Sequence, residues 1–446
     1  MQKALVVKAV VVASVFAVLQ IPLLMIHGLV YERGTRHRAV VEELSRSSYG
    51  RQAFAGPVLL LPYTEIEEAV LDGRRVERHR IERVLRLYPD HEAIESTAGV
   101  EIKSRGLFKA RVFDWHATLR GEFVLAAAPA LERARPDSRV VFGTPLLAVV
   151  LTDPRGLGAT PTLDWNGANV ALARGSGLSP AINGVHAALP PIEWTPGLRL
   201  PYALSIAVHG TESLSIVPLA ADTRVHMQSA WPHPSFGGQF LPSPEPARGT
   251  GPGFDARWTV SALASSAQQQ LQAWIDGVNR CADLACVEHV EVQFIEPIDI
   301  YALSDRAVKY GFLFIASTFA CFLLFELLKR LRIHPAQYLL VGLALATFFL
   351  LLLGLSEHIP FAAAYLVAAA ACIALLGYYL STVLGSVRRG LSFAVMVTAL
   401  YGALYGLLVS EDNALLLGSL LVFALVAAAM ILTRELDWYN LDARAA

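Results

Sequence analysis

Residues 339–355 read LLVGLALATFFLLLLGL, and this run decides the architecture. It holds no charged residue. Wound as an α-helix at ~1.5 Å per residue it reaches about 26 Å, close to the ~30 Å hydrocarbon core of a bilayer. A transmembrane β-barrel is disfavoured because its strands alternate polar and apolar positions, whereas 348–353 is apolar without interruption. Four comparable runs lie at about 311–328, 361–384, 391–409 and 414–432. A further one, 9–30, follows Lys8 without a formally charged residue. It is too long and too continuously apolar for the core of a cleaved signal peptide, so it reads as an uncleaved anchor with a kink at Pro22. The expectation is about six transmembrane helices.

The composition agrees. Hydrophobic residues make up 54% of the 446 and charged residues 17%, against roughly 25% charged in a soluble chain. A net charge of −1 supplies no global field to attract nucleic acid. Charge is dense over 31–309 and sparse beyond it. In the short loops Lys and Arg mark the cytoplasmic side: Lys329, Arg330 and Arg332, then Arg388 and Arg389, then Arg434. The alternate loops, 356–360 and 410–413, carry none. Arg33, Arg36 and Arg38 after the first run oppose this assignment, but a long translocated domain overrides a local bias. The expected organisation is therefore a cytoplasmic N-terminus and first helix (1–30), a periplasmic β-rich domain (31–305), and a five-helix transmembrane domain (306–446) with a cytoplasmic C-terminus.

Within 31–305 period-two alternation recurs at Leu204, Ile206 and Val208, at Leu214 and Ile216, and at Val290, Val292 and Phe294. Further strands are expected near 84–88, 108–125, 139–142 and 146–152, with Asn166-Gly167 as a hairpin turn. Many short strands with Gly and Pro between them indicate an antiparallel, sandwich-like fold. Helices are expected over 39–48 and 262–275, the second closed by Gly277. Ser304 is expected to cap the second span, with Asp305 in its first turn.

No phosphate-binding loop, H-E-x-x-H, G-x-S-x-G or CxxC motif is present, so no catalytic, cofactor or metal residues are assigned. Cys281 and Cys286 either form a small-loop disulfide or remain free thiols. His226, His233 and His289 are too widely spaced to imply a metal site. The tract 231–242 stiffens Trp231, His233 and Phe236 between prolines, either as a candidate partner-binding loop or as a rigid corner packed on the core. Glu326, about a turn from Lys329 and Arg330, reads as snorkelling to the interface. Glu357, His358, Glu411 and Asp412 gather at the outer loops, as ordinary polar residues or as a docking patch for the soluble domain. Gly402-x-x-x-Gly406 permits close helix packing.

Several stretches resemble the CreD family of inner-membrane proteins. They are Trp231-Pro232-His233-Pro234-Ser235-Phe236, Asp305-Arg306-Ala307 with Lys309-Tyr310, His334-Pro335 with Gln337-Tyr338, Leu355-Ser356-Glu357-His358, Ala414-Leu415-Leu416-Leu417-Gly418 and Leu432-Thr433-Arg434 with Asp437-Trp438-Tyr439. Gly56-Pro57 and Gly156-Leu157-Gly158 extend the likeness toward the N-terminus. The resemblance implies a Gram-negative inner-membrane location and an association with envelope stress through the Cre two-component system; it supplies no catalytic residue. The leading expectation is a non-enzymatic protein supporting cell-envelope integrity through its periplasmic domain. Its partners are then the lipid bilayer and an envelope protein or glycan, without nucleic acid or cofactor. The alternatives are a transporter or flippase for an envelope lipid or small molecule, and a periplasm-facing envelope hydrolase.

Overall fold

The computed structural model describes residues 2–434 apart from 72–73, 106–107, 127–130, 137, 244–252, 279–280, 282, 296–299, 330–332 and 411–412. The chain divides into two compact units, Met1–Ala39 with Ile298–Ala446, and Val40–Pro297. The helices are α1 (Gln2–Ser47), α2 (Ala267–Ile275), α3 (Ile300–Lys329), α4 (Pro335–Ser356), α5 (Phe361–Val383), α6 (Val387–Val409) and α7 (Ala414–Thr433).

Among the described residues of the helical unit five segments are long and apolar enough to cross a bilayer: Val10–Glu43, Ile300–Leu323, Pro335–Ser356, Phe361–Val383 and Val387–Val409. Leu415–Ile431 is equally apolar but shorter. These helices are apolar all round. α4 buries Tyr338, Val341, Leu345, Phe348 and Leu352 yet exposes Leu340, Leu343, Leu350 and Leu351, a pattern that suits lipid outside as well as protein inside. The centre is filled by rings: Tyr401 lies 4.6 Å from both Phe314 and Phe348, and Phe322 lies 4.7 Å from Tyr338. α1 runs unbroken through Pro22. Gly342 rather than the 402/406 glycine pair supports close approach. A Cβ at Gly342 would meet Leu19 at 2.0 Å, whereas one at Gly402 or Gly406 would meet nothing within 4 Å among the described residues.

One start differs from the expectation. α3 begins at Ile300, so Ser304 lies inside the helix, where its buried Oγ has no hydrogen-bond partner among the described residues. Asp305 instead pairs with Lys309 at i,i+4, 2.5 Å away.

The other unit carries strands β1 (Gln52–Leu71), β2 (Arg74–Leu87), β3 (His91–Arg105), β4 (Phe108–Val124), β5 (Arg139–Phe142), β6 (Leu146–Leu151), β7 (Thr162–Trp165) and β8 (Ala168–Val170). After these come β9 (Leu172–Arg174), β10 (Gly184–Ala188), β11 (Arg199–Thr211), β12 (Ser213–Val217), β13 (Asp222–Ser229), β14 (Pro234–Gly238), β15 (Phe254–Ser261) and β16 (Val290–Phe294). A 9-stranded sheet runs β14-β16-β12-β1-β6-β10-β9 with β2 and β5 also on β1, and a 7-stranded sheet runs β15-β13-β3-β4-β11-β7-β8. Their inner faces share one core, in which Phe54, Val149, Leu214 and Val292 meet Trp115, Leu119, Leu204 and Trp258. The far face of the 9-stranded sheet is covered as well, by Ala267 and Leu271 of α2 with Leu284 and Val287 over Ala55, Val58 and Leu60. Burial on both sides explains why 58–61 is apolar without alternation.

The sandwich is mixed rather than purely antiparallel, because β1 pairs with β12 and β3 with β13 in parallel. Alternation reports which face is buried, and it is silent on strand direction. The hairpin at Asn166-Gly167 is present, with φ of 51° and 82° and the Gly167 amide donating to Asp164 Oδ1 at 2.8 Å; left-handed backbone at both positions is what a two-residue turn requires. α2 starts at Ala267 rather than 262 because Glu288, distant in sequence, accepts from the Ser266 amide and from the Ser265 and Ser266 hydroxyls.

A long excursion is held by one carboxylate. Glu65 on β1 is fully buried and accepts from Ala134 N, Arg135 N and, at 2.6 Å, Ser138 Oγ. The Ser138 hydroxyl and these amides hold its pKa down at about 2. Glu65→Ala is expected to release residues 132–138. Limited proteolysis should then cut there in the variant and spare the parent chain.

Candidate functional site

Outward positions on the 7-stranded sheet form two polar rows that cross its strands. In one, His226 of β13 faces Glu95 of β3, which faces Thr118 of β4, then Ser205 of β11, then Thr162 of β7. In the neighbouring row Gln228 faces Thr97, which faces His116, which faces Ala207. The rows floor a cleft of about 500 Å³, with Ala159 and Thr160 at its side. The wall stands close because Gly156-Leu157-Gly158 lies against β11. The Gly158 amide donates to Ala207 O at 3.0 Å, and a Cβ at Gly158 would come within 2.5 Å of His209 Nε2.

The imidazoles here are held by carboxylates. His226 Nδ1 lies 2.7 Å from Glu95 Oε2 and its Nε2 2.9 Å from Asp255 Oδ1. Gln228 donates to the other Asp255 oxygen at 2.9 Å, and this bond with the His226 contact holds the Asp255 carboxyl below the usual carboxylate range. Asp114 lies 2.9 Å from His116 Nε2 and 3.3 Å from His209 Nδ1, with Tyr49 stacked on His209 at 5.3 Å. Among the described residues no hydroxyl or thiol is hydrogen-bonded to these rings, and no group of three or more His, Cys, Asp or Glu side chains could hold a metal ion. The arrangement offers fixed donors and acceptors rather than an activated nucleophile.

The helical unit has a polar centre at each end. Glu326 is buried, accepts from Lys8 Nζ and from Ile333 N at 3.1 Å, and takes the Tyr338 hydroxyl at 2.9 Å. The expected snorkelling is thereby corrected. Lys8, remote in sequence, stands on the neighbouring helix and satisfies the carboxylate inside the bundle. At the other end His27 lies 3.1 Å from Asp305, and Glu357 is 3.8 Å from Arg33 and accepts from the Tyr301 hydroxyl at 3.3 Å. Along α1 from Lys8 to His27, α3 from Asp305 to Glu326, and α4 from Tyr338 to Glu357 the centres are 19, 21 and 19 residues apart, about 28–31 Å at ~1.5 Å per residue. Three helices thus bracket the same apolar thickness, which equals that of a bilayer core.

The structure places Trp231 half-buried, its indole donating to His233 O and Ile295 O at 3.1 Å. Phe236, on β14, sits edge-on to Phe254 and Trp258 at 5.7 Å. Of the three only His233 is exposed. His289 is buried, its Nδ1 2.7 Å from Val287 O. Cys281 and Cys286 are joined in a disulfide. Glu411, Asp412, Arg330 and Arg332 lie outside the described residues.

The family model described as "Inner membrane protein CreD" matches residues 4–439. The chain belongs to the CreD family. A CreD-family relative, "Inner membrane protein CreD" of Escherichia coli (strain K12), is 33% identical over 422 residues, 94% of this chain and 91% of its own. A solved M1 zinc metallopeptidase from Deinococcus radiodurans is similar at 12% identity over 39% of this chain and 38% of its own, with a TM-score of 0.17, and carries no argument. Inner-membrane residence with several spanning helices follows from CreD membership and the helices together.

The stretches that carried the CreD resemblance include parts of the polar ends of the helical unit and of the cleft wall. His334 caps α4 by accepting from Ala336 N while Gln337 accepts from His334 N. Asp305, Tyr338 and Glu357 supply the two polar ends, and Gly158 shapes the cleft wall. Glu95, Asp114, His116, His209 and Asp255 escaped the sequence reading. Their one local trace is a polar residue at every second position of an alternating strand, as in Asp114-x-His116, which also describes any solvated sheet face.

Proposed function

We propose that this CreD-family protein supports the integrity of the cell envelope without catalysing a reaction, acting through unit Val40–Pro297 held on the periplasmic side, with both termini in the cytoplasm. The observation that carries this reading is the polar cleft, where imidazoles are hydrogen-bonded to carboxylates and hydroxyls are left for recognition. A partner is then bound, and not transformed, at this face and at the exposed His233. The aromatic filling of the bundle around Tyr401 weighs against a transport path.

The orientation rests on three supports. Arg388 and Arg389 in the first turn of α6, and Arg434 after α7, stand against Glu357 and His358 between α4 and α5. Arg33, whose charge opposed this sense, has Glu357 nearby. The disulfide belongs to an oxidising compartment. Maleimide-polyethylene glycol applied to denatured protein is expected to add two more labels after reduction than before, at Cys281 and Cys286. Equal labelling with and without reductant removes that support. For the function, a deletion strain under envelope stress should be rescued by the parent chain and not by one with Thr118→Arg in the cleft. Equal rescue by both, or no phenotype on deletion, overturns the reading.

A further inference from the structure

We propose that the cleft on the 7-stranded sheet binds a neutral, hydroxyl-rich glycan chain lying across the strands; this deepens the reading of the exported unit as the partner-binding part and rests on it. The first reason is the repeat. The row His226, Glu95, Thr118, Ser205, Thr162 takes one residue from each of five adjacent strands. Adjacent strands stand ~4.8 Å apart, so a chain laid along the row meets one polar side chain at about that interval over roughly 19 Å. An extended polypeptide advances ~3.3 Å per residue and presents same-face side chains at about twice that, so it falls out of step with the row. Successive pyranose rings of an extended glycan have a rise comparable with the strand spacing.

The second reason is chemistry. Thr97, Thr118, Thr162 and Ser205 each donate and accept, as sugar hydroxyls do, and Gln228 adds an amide. Among the described residues the lining contains neither Lys nor Arg, which leaves a phosphate or carboxylate polymer without a counter-charge there. The carboxylate that lines the cleft, Glu95, is already engaged by the imidazole of His226, which also meets Asp255. The third reason is shape. About 500 Å³ lies within the range of small-ligand sites, and Glu95, Thr97, His116, Ser205 and Gln228 are all exposed to it.

The test uses full-length protein in lipid nanodiscs, titrated calorimetrically with chitotetraose and, separately, cellotetraose, which distinguish an acetamido-bearing glycan from a plain one. Saturable binding of at least one is expected. Thr118→Val, which removes one hydroxyl at constant volume, should weaken it about tenfold, and Thr118→Arg, which fills the groove, should abolish it. Both variants should keep the thermal transition of the parent, and binding unchanged in both overturns the site. The proposal also falls if neither sugar binds, or if a neutral peptide competes as well as the sugar. If the sugars fail while Thr118→Arg still fails to rescue the deletion strain, the glycan inference alone is lost. If the sugars bind while rescue is complete, the functional reading is lost and the binding site stands.

Discussion

Replacing Lys8 by Met is expected to destabilise the helical unit by about 3 kcal/mol, because it strands a carboxylate that is already out of water. Glu326 has a side-chain exposure of 6% against 30% for Lys8, so the lysine retains access to solvent and the glutamate does not. Ile333 N and Tyr338 Oη still donate to the stranded group, which keeps the loss at the low end for a broken buried pair. Adding Glu326→Gln to Lys8→Met should restore most of the stability, since a neutral amide can accept from Ile333 N through its oxygen and donate through its nitrogen to Tyr338 Oη, without a charge. The measurement is a double-mutant cycle of unfolding in mild detergent, followed by loss of α1 protection in hydrogen exchange. If the single Lys8→Met costs nothing, Glu326 is not charged in the bundle and the clamp is not electrostatic. The consequence for architecture is direct: α1 and α3 are distant in sequence, and this pair with His27–Asp305 ties them at both ends.

The second large effect concerns pH and the β-rich unit. Glu92 on β3 is buried, accepts the Tyr202 hydroxyl at 2.8 Å through Oε1, and has no partner for Oε2 among the described residues. Burial pushes its pKa up from 4.5 to about 8, against the smaller opposing effect of the Tyr202 bond. Below about pH 4.5 the carboxyl is protonated whether the chain is folded or not, and its contribution is complete. Between that pH and about 8 the folded state keeps a proton that the unfolded state has released, so stability falls as pH rises and levels off above the folded value. The full span corresponds to a few kcal/mol, at ~1.4 kcal/mol per unit. Glu92→Gln should flatten this limb and leave the variant more stable than the parent at pH 9. Parallel pH profiles for the two proteins would show that Glu92 is not the titrating group. The geometry has little slack, since a Cβ at Gly121 would lie 2.5 Å from the Tyr202 hydroxyl.

How far each feature was legible follows from the range of the interaction behind it. The span 361–384 was readable to within a residue of α5, and 339–355 to within four residues at the start and one at the end of α4, because lipid imposes apolarity on every position and length alone does the rest. Strands such as β11 and β16 were readable because a half-buried sheet writes its period into the chain. The start of α3 was not, since Ser304-Asp305 has the local signature of a helix start and yet lies inside the helix, and neither was the start of α2, whose N-terminal donors meet Glu288 from afar.

The amino-acid sequence by itself determined that this protein lives in two solvents, with apolar helices for one and alternating strands for the other, since burial in each is a one-body property of residue type and period. Only the tertiary structure decided which strands are neighbours and in which direction, that Lys8 belongs to Glu326, and that His226, Glu95, Thr118, Ser205 and Thr162 stand in line. Those are pair properties set by register between segments up to a hundred residues apart or more, and no local pattern encodes them.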